Sequence, residues 1–312
     1  MAVAPESTPA DGANLSTNDR NGVGNWGGGS RWWRTAALGA CYNGAVASLV
    51  APHRRLRTPP ARAMGDAVLV VPCFDESRRL DLEAFRRFRA AGHPQRFLFV
   101  DDGSRDTTAE RIEALCRRAP DHFSLMRLVP NRGKAEAVRQ GILRAFGDQP
   151  AQVGFWDADL ATPLEAIPRF SHLLDTQRHL KIVLGSRVQL LGHDIRRRAV
   201  RHYLGRGFAT AVSMILGLAV YDTQCGAKLF RADAEVYRLF VEPFCTRWVF
   251  DVELLARFVA GRRKQGGRPA DEAIRELPLH RWHDVAGSKL RTADFLRAAW
   301  ELGVIYRRYS RR

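Results

Sequence analysis

Asp157 and Asp159 stand two residues apart at the end of an apolar run, in the segment Phe155-Trp156-Asp157-Ala158-Asp159-Leu160-Ala161-Thr162-Pro163. Side chains in extended chain repeat every second residue, so both carboxylates can point the same way. Two hard oxygen ligands suit Mg²⁺ or Mn²⁺, which usually keeps waters and completes its shell from a substrate diphosphate. An acidic pair at a strand end is also a common loop feature, so the spacing alone is a weak signal.

The surrounding elements strengthen it. Val68-Leu69-Val70-Val71-Pro72 is a β-branched run followed by the polar turn Cys73-Phe74-Asp75-Glu76-Ser77. Phe97-Leu98-Phe99-Val100 is a second run, ending in Asp101-Asp102-Gly103-Ser104 and followed by a helix pattern over 106–118. A third strand is expected at 125–129, before Asn131-Arg132-Gly133-Lys134 and a helix over 135–146. Alternation at this spacing predicts a mostly parallel sheet flanked by helices. Ligands of such sheets bind at the carboxyl ends of the strands, where these polar loops all fall.

The blocks Val71-Pro72-Cys73-Phe74-Asp75-Glu76, Asp101-Asp102-Gly103-Ser104, Asn131-Arg132-Gly133-Lys134 and Asp157-Ala158-Asp159 together resemble the ordered motifs of family 2 inverting glycosyltransferases. Three later blocks are more specific: Asp222-Thr223-Gln224-Cys225-Gly226-Ala227-Lys228-Leu229-Phe230, Arg247-Trp248-Val249-Phe250-Asp251-Val252-Glu253-Leu254-Leu255, and Gly287-Ser288-Lys289-Leu290. They are similar to the dolichyl-phosphate β-glucosyltransferase branch, and the match runs in order from about residue 67 to the C-terminal helix.

That resemblance implies a GT-A-type nucleotide-diphospho-sugar transferase fold. It places uracil and ribose against Pro72, Phe74, Glu76 and the Asp101/Asp102 pair, with Asp102 the better candidate for the uracil edge although sequence does not separate the two. Lys134 would reach the diphosphate or nucleoside end, and a divalent ion on Asp157 and Asp159 would stabilise the charge developing on the leaving diphosphate. Arg187, Lys228 and Lys289 are the matched cations for an acceptor phosphate. Asp251 falls where many relatives place a catalytic acid or base; here it reads as a positioning or weakly basic residue, or simply as a carboxylate on a helix N-terminus. A lipid monophosphate is already largely dianionic near pH 7, with a second pKa of about 6, and needs no strong base. One position departs from the related mannosyl-lipid synthases: Ala161 stands where they often carry a glutamine, leaving Thr162 or water to complete the metal shell.

In this 312-residue chain, residues 64–312 are ample for one α/β catalytic domain. Residues 1–63 are expected to be a disordered or weakly apolar extension. Their first 30 residues are rich in Gly, Asn, Ser and Thr. Residues 35–52 are uncharged yet fall short of the ~20 strongly apolar residues of a membrane span. Met64 is an alternative start. Gly22-Val23-Gly24-Asn25-Trp26-Gly27 fits a dinucleotide fingerprint in letters only, since no strand precedes it. The five cysteines show no Cys-x-x-Cys spacing, which argues against both a zinc site and a disulfide framework.

A net charge of +16, from 49 Lys and Arg against 33 Asp and Glu, calls for an anionic partner. Its distribution favours a membrane surface over nucleic acid. Arg196, Arg197, Arg198, Arg201 and Arg206 accompany an apolar stripe of Val200, Tyr203, Leu204, Phe208, Ala211, Val212, Ile215 and Leu216. The C-terminal segment repeats the pattern, with Phe295, Leu296, Ala299, Leu302, Ile305 and Tyr306 beside Arg297, Arg307, Arg308, Arg311 and Arg312. Both fit amphipathic helices lying in an interface.

The combined expectation is an enzyme that moves glucose from UDP-glucose to a dolichyl or undecaprenyl monophosphate with inversion, peripheral to or weakly anchored at the cytoplasmic face of a membrane. A family member acting on a polysaccharide or glycolipid hydroxyl is the first alternative. A nonenzymatic basic protein on membrane or nucleic acid is the second, and the Asp-x-Asp speaks against it.

Overall fold

A computed structural model of the protein describes residues 65–196, 199–266, 268–283 and 292–310. In chain order its elements are β1 (Ala67–Cys73), α1 (Leu82–Ala90), β2 (Arg96–Asp101), α2 (Thr108–Arg118), β3 (Phe123–Arg127), α3 (Lys134–Phe146) and β4 (Gln152–Trp156). Then come α4 (Ile167–Thr176), β5 (Ile182–Ser186), β6 (Asp194–Arg196), α5 (Ala199–Leu216), β7 (Ala227–Arg231) and α6 (Ala234–Val241). The chain continues through α7 (Phe250–Gln265), β8 (Ile274–Pro278), β9 (Arg281–His283) and α8 (Thr292–Ile305), with a π-helical turn over Tyr306–Ser310. The residues 1–63 expected as an extension lie outside those described. No described helix is long and apolar enough to cross a membrane.

Seven strands form one sheet in the order β3-β2-β1-β4-β7-β5-β8, with β6 and β9 paired separately. The sheet is parallel except for β7, which is antiparallel to both β4 and β5. The strand expected at 125–129 lies two residues earlier. Phe123 anchors it by packing on Phe97 and Phe99, whereas Val129 is exposed.

Both faces of the sheet are covered, which explains why its strands read as continuous apolar runs. In β2, Leu98 and Val100 join the core formed with α3, α6 and α7, and Phe97 and Phe99 join the core under α1, α2 and α4. Phe85, Phe88, Phe97, Phe99 and Phe123 meet at centroid separations of 5.0–6.3 Å.

The helix α7 carries Asp251 and Glu253 in its first turn and Arg262, Arg263 and Lys264 in its last, complementing its dipole, and ends on Gly266 at φ +60°. Glu253 is fully buried. It accepts hydrogen bonds from the Cys245 and Thr246 amides, the Thr246 hydroxyl, the Arg257 guanidinium and the Tyr309 hydroxyl. Burial alone would raise its pKa, but those amides and Arg257 reverse the effect and hold it below the ordinary 4.5.

Phe97→Ala should therefore cost about 3–5 kcal/mol of stability, read as a lower urea midpoint. Glu253, with a lowered folded pKa, contributes stability that is fully present above its ordinary value and lost as pH falls through the folded one. The urea midpoint should drop on acidification below pH 4.5, and Glu253→Gln should flatten that drop while lowering stability at neutral pH.

Candidate active site

The reversed strand builds the centre of the site. Because β7 runs against β4, its first residues meet the last residues of β4, with Trp156 opposite Ala227 and Phe155 opposite Lys228. The Asp157 amide donates to the Gly226 carbonyl at 2.9 Å. A β-carbon on Gly226 would stand 1.8 Å from Asp157 Oδ2, so glycine is needed here for space. The indole N–H of Trp156 donates to the Thr162 carbonyl at 2.8 Å and closes the 157–162 loop.

Lys134, the first residue of α3, places Nζ 2.6 Å from Asp157 Oδ1. Burial lowers the pKa of this ammonium, but the Asp157, Asp251 and Asp159 carboxylates outweigh burial and leave it raised. Asp159 shows the reverse. Burial, and then the neighbouring Asp157 charge, push its carboxyl above the usual range, against the Ala161 amide, Lys134 and Arg79. Two crowded carboxylates with lysine as counter-charge fit a divalent cation, whose charge would relieve the same repulsion. No third acidic, histidine or cysteine ligand joins them among the described residues. Ala161 contributes only its amide, to Asp159 Oδ1 at 3.1 Å. Thr162 does not complete the shell, since it is buried with its hydroxyl against Cys225 Sγ.

The loops after β1, β2 and β3 are tied to one another. The Asp75 amide donates to Ser104 Oγ, the Glu76 amide to Thr108 Oγ1 and the Arg105 amide to Asp75 Oδ1. Pro72 lies within β1 opposite Val100, and Phe74 is half-buried in the turn beyond it. Glu76 grips Arg79, the arginine that faces Asp159. The Asp102 carboxylate accepts from the Arg132 and Gly133 amides at 2.8 and 2.7 Å. It thereby holds the turn that starts α3 and delivers Lys134. Asp101 is equally buried, yet its oxygens accept no hydrogen bond among the described residues, and Arg127 Nε lies 3.8 Å away. Packing thus separates the two: Asp102 is committed to the loop, and Asp101 keeps its acceptors.

The acceptor-side cations are also partnered. Lys228 is fully buried, 2.5 Å from Asp251 Oδ1, and donates to the Cys225 carbonyl. It therefore has no surface to offer an acceptor phosphate, and its position orients Asp251. Arg187 forms a two-point pair with Asp222 at 2.6 and 2.7 Å. Against the effect of burial, Asp222 holds its pKa well above the ordinary arginine value. The Asp222 amide is in turn held by Glu276. Arg187 borders a cavity of about 370 Å³ that Phe208, Thr210 and Ser213 of α5 also line. Lys289 lies outside the described residues, as do Arg197 and Arg198. In the second half of the α5 stripe, Val212 and Leu216 are in the core, and Phe208 and Ile215 pack against it.

Sequence reasoning missed Gly226 as a spacer, Glu276 behind Asp222, Trp282 under the Arg187 guanidinium at 5.3 Å, and Glu301. Glu301, on α8, is buried and accepts the amides of Arg247, Trp248 and Val249 at 3.3, 2.9 and 3.0 Å. Its signal was legible, since a carboxylate interrupts the stripe Ala298, Leu302, Ile305. Gly226→Ala must displace Asp157, so sugar-transfer activity should fall on the order of 10²-fold, as for an ångström-scale misplacement, with a cooperative melt retained.

The glycosyl transferase family 2 model matches residues 68–237. The chain is 30% identical to the dolichyl-phosphate beta-glucosyltransferase of Saccharomyces cerevisiae, over 77% of this chain and 74% of that protein. It is 33% identical to the human dolichyl-phosphate beta-glucosyltransferase, over 71% and 68%. Among solved structures, glucosyl-3-phosphoglycerate synthase of Mycobacterium tuberculosis in complex with Mn²⁺ and UDP-glucose is similar at TM-score 0.51 and 20% identity, covering 78% of this chain and 75% of that one. Its complex with phosphoglyceric acid is similar at TM-score 0.54 and 18% identity, over 81% and 86%. The fold is thus of the GT-A type. The chain is a glycosyltransferase that belongs to glycosyl transferase family 2, in its dolichyl-phosphate beta-glucosyltransferase-like branch.

Proposed function

We propose that the protein transfers glucose from UDP-glucose to a polyprenyl monophosphate, dolichyl or undecaprenyl, with inversion to a β-linked lipid-phosphate sugar. The observation that carries this reading is the Lys228–Asp251 ion pair. A hydroxyl acceptor needs a base to take its proton. Asp251 is buried with one carboxylate oxygen 2.5 Å from the ammonium of the fully buried Lys228, so that oxygen is already engaged in an ion pair. An acceptor already ionised at neutral pH needs no such base. The names of the similar glucosyltransferases support the same acceptor, and the UDP-glucose complex of a similar fold supports the donor.

Asp157 and Asp159 would hold a divalent ion, Mg²⁺ or Mn²⁺, whose charge would offset that of the donor diphosphate. Lys134 steadies Asp157 and adds charge on the same side. Phe74, Pro72 and Glu76 with Asp101 and Asp102 would shape the nucleoside end, and Arg187, which lines a cavity beside α5, is a candidate cation for the acceptor phosphate, as is Lys289. On this reading the protein works as a peripheral enzyme at the cytoplasmic face of a membrane, with an anionic lipid surface as partner and no nucleic acid.

Labelled UDP-glucose incubated with polyprenyl phosphate should yield a product that extracts into organic solvent and releases glucose in mild acid. EDTA should stop transfer reversibly, and Asp157→Asn and Asp159→Asn should each lower it on the order of 10²-fold or more. Asp251→Asn should cost less than the roughly 10²–10⁴-fold a general base contributes. An acid-stable product together with a loss in that range would favour the hydroxyl acceptor.

A further inference from the structure

The helix α8 is apolar on two sides. Ala298, Leu302 and Ile305 are buried against the core, while Leu296 and Trp300 point outward at 78% and 66% exposure. Ala299 and Gly303 lie exposed between and beyond them, and Tyr306 follows at 45%. Arg297, Arg307 and Arg308 are exposed within and after this patch. Tryptophan, with an apolar ring and one N–H, suits the headgroup level of a bilayer. A patch edged by arginines on a chain of net charge +16 repels a second copy of itself and attracts an anionic lipid surface.

The inward side of α8 reaches the active site through Glu301. Its carboxylate holds three successive amides, those of Arg247, Trp248 and Val249. That segment presents Trp248 at 38% exposure and runs directly into the first turn of α7, which carries Asp251. The Arg247 guanidinium packs on Gly133, where a β-carbon would stand 3.1 Å from Nη2. Gly133 is also the residue whose amide holds Asp102. One carboxylate thus connects a helix with an exposed apolar face to both ends of the site.

We propose that the outward face of α8 docks on an anionic lipid bilayer, and that Glu301 transmits this docking to the active site by fixing the 247–249 segment. The proposal builds on the lipid-phosphate reading above, but its docking face and its carboxylate link are properties of α8 itself. Glu301 is a positioning residue in this scheme: it touches no substrate and acts through the backbone that sets Arg247 and Asp251.

The test uses the full chain with phosphatidylcholine vesicles made with and without phosphatidylserine. Leu296→Ser/Trp300→Ser should weaken co-sedimentation with the anionic vesicles by about ten-fold or more, whereas Glu301→Gln should bind them like the wild type. Anionic vesicles should slow amide hydrogen exchange across 247–251 in the wild type and leave it unchanged in Glu301→Gln. With polyprenyl phosphate embedded in the vesicles, the double variant should raise KM with kcat kept, and Glu301→Gln should lower kcat with KM kept. Should Glu301→Gln lose its cooperative melt, Glu301→Asp, charged but shorter, is read by the same exchange and kinetic criteria. Wild-type sedimentation by the double variant would overturn the docking face, as would a dimer of the free chain that the same two substitutions dissolve. Vesicles without effect on wild-type exchange at 247–251 would overturn the link. The sedimentation and exchange arms need no substrate, so an enzyme inert towards polyprenyl phosphate would sink the proposed function and leave this inference standing.

Discussion

The antiparallel pairing of β7 with β4 is the constraint on which the site depends. Six parallel strands would send all their carboxyl ends to one edge, but none would bring the start of a later strand to the same place. Reversing β7 puts Gly226 and Lys228 beside Asp157 and Phe155. The close approach of Gly226 to Asp157, with no room for a β-carbon, follows from that register. So does the burial of Lys228 beneath Asp251, because the side chain leaves the sheet on the face that α7 covers.

Around this centre several charges are arranged in pairs. Lys134 answers Asp157, Lys228 answers Asp251, Arg187 answers Asp222, and Arg79 is shared between Glu76 and the field at Asp159. Asp159 has no close ion pair among the described residues. The raised pKa of its carboxyl expresses in one group the demand for a cation that the Asp-x-Asp spacing suggests. Buried pairs of this kind contribute little net stability, but breaking one leaves an uncompensated charge, so they hold geometry firmly. That firmness suits a site that must hold its carboxylates in fixed positions.

Two carboxylates outside the site keep its walls in place. Glu253 gathers the turn before α7 and the C-terminal Tyr309, and Glu301 gathers the three amides just upstream of Asp251. Both use charge-assisted hydrogen bonds to backbone N–H groups of the 245–249 segment that leads into α7. The C-terminal helix therefore braces the segment that leads into Asp251, and its exposed apolar face lies one helical side away from the Glu301 carboxylate.

The sequence by itself determined the α/β class, the strand–loop–helix order and the loops that carry Asp101, Asp102, Lys134, Asp157 and Asp159. Those features are local: hydrophobic runs, turn residues and two-residue spacing act over a few positions. It also carried the family resemblance, because the motifs lie in order along the chain. Only the tertiary structure decided which carboxylate is committed and which is not, as with Asp102 and Asp101. It likewise decided that Lys228 is sealed against Asp251, and that Phe208, Val212, Ile215 and Leu216 of α5 pack inward while α8 shows Leu296 and Trp300 to the outside. Each of these depends on contacts between segments tens of residues apart. A helical stripe reads the same whether it faces a core or a bilayer, and a lysine in a motif reads the same whether its ammonium meets solvent or a buried aspartate; only the packing of neighbouring elements separates the two.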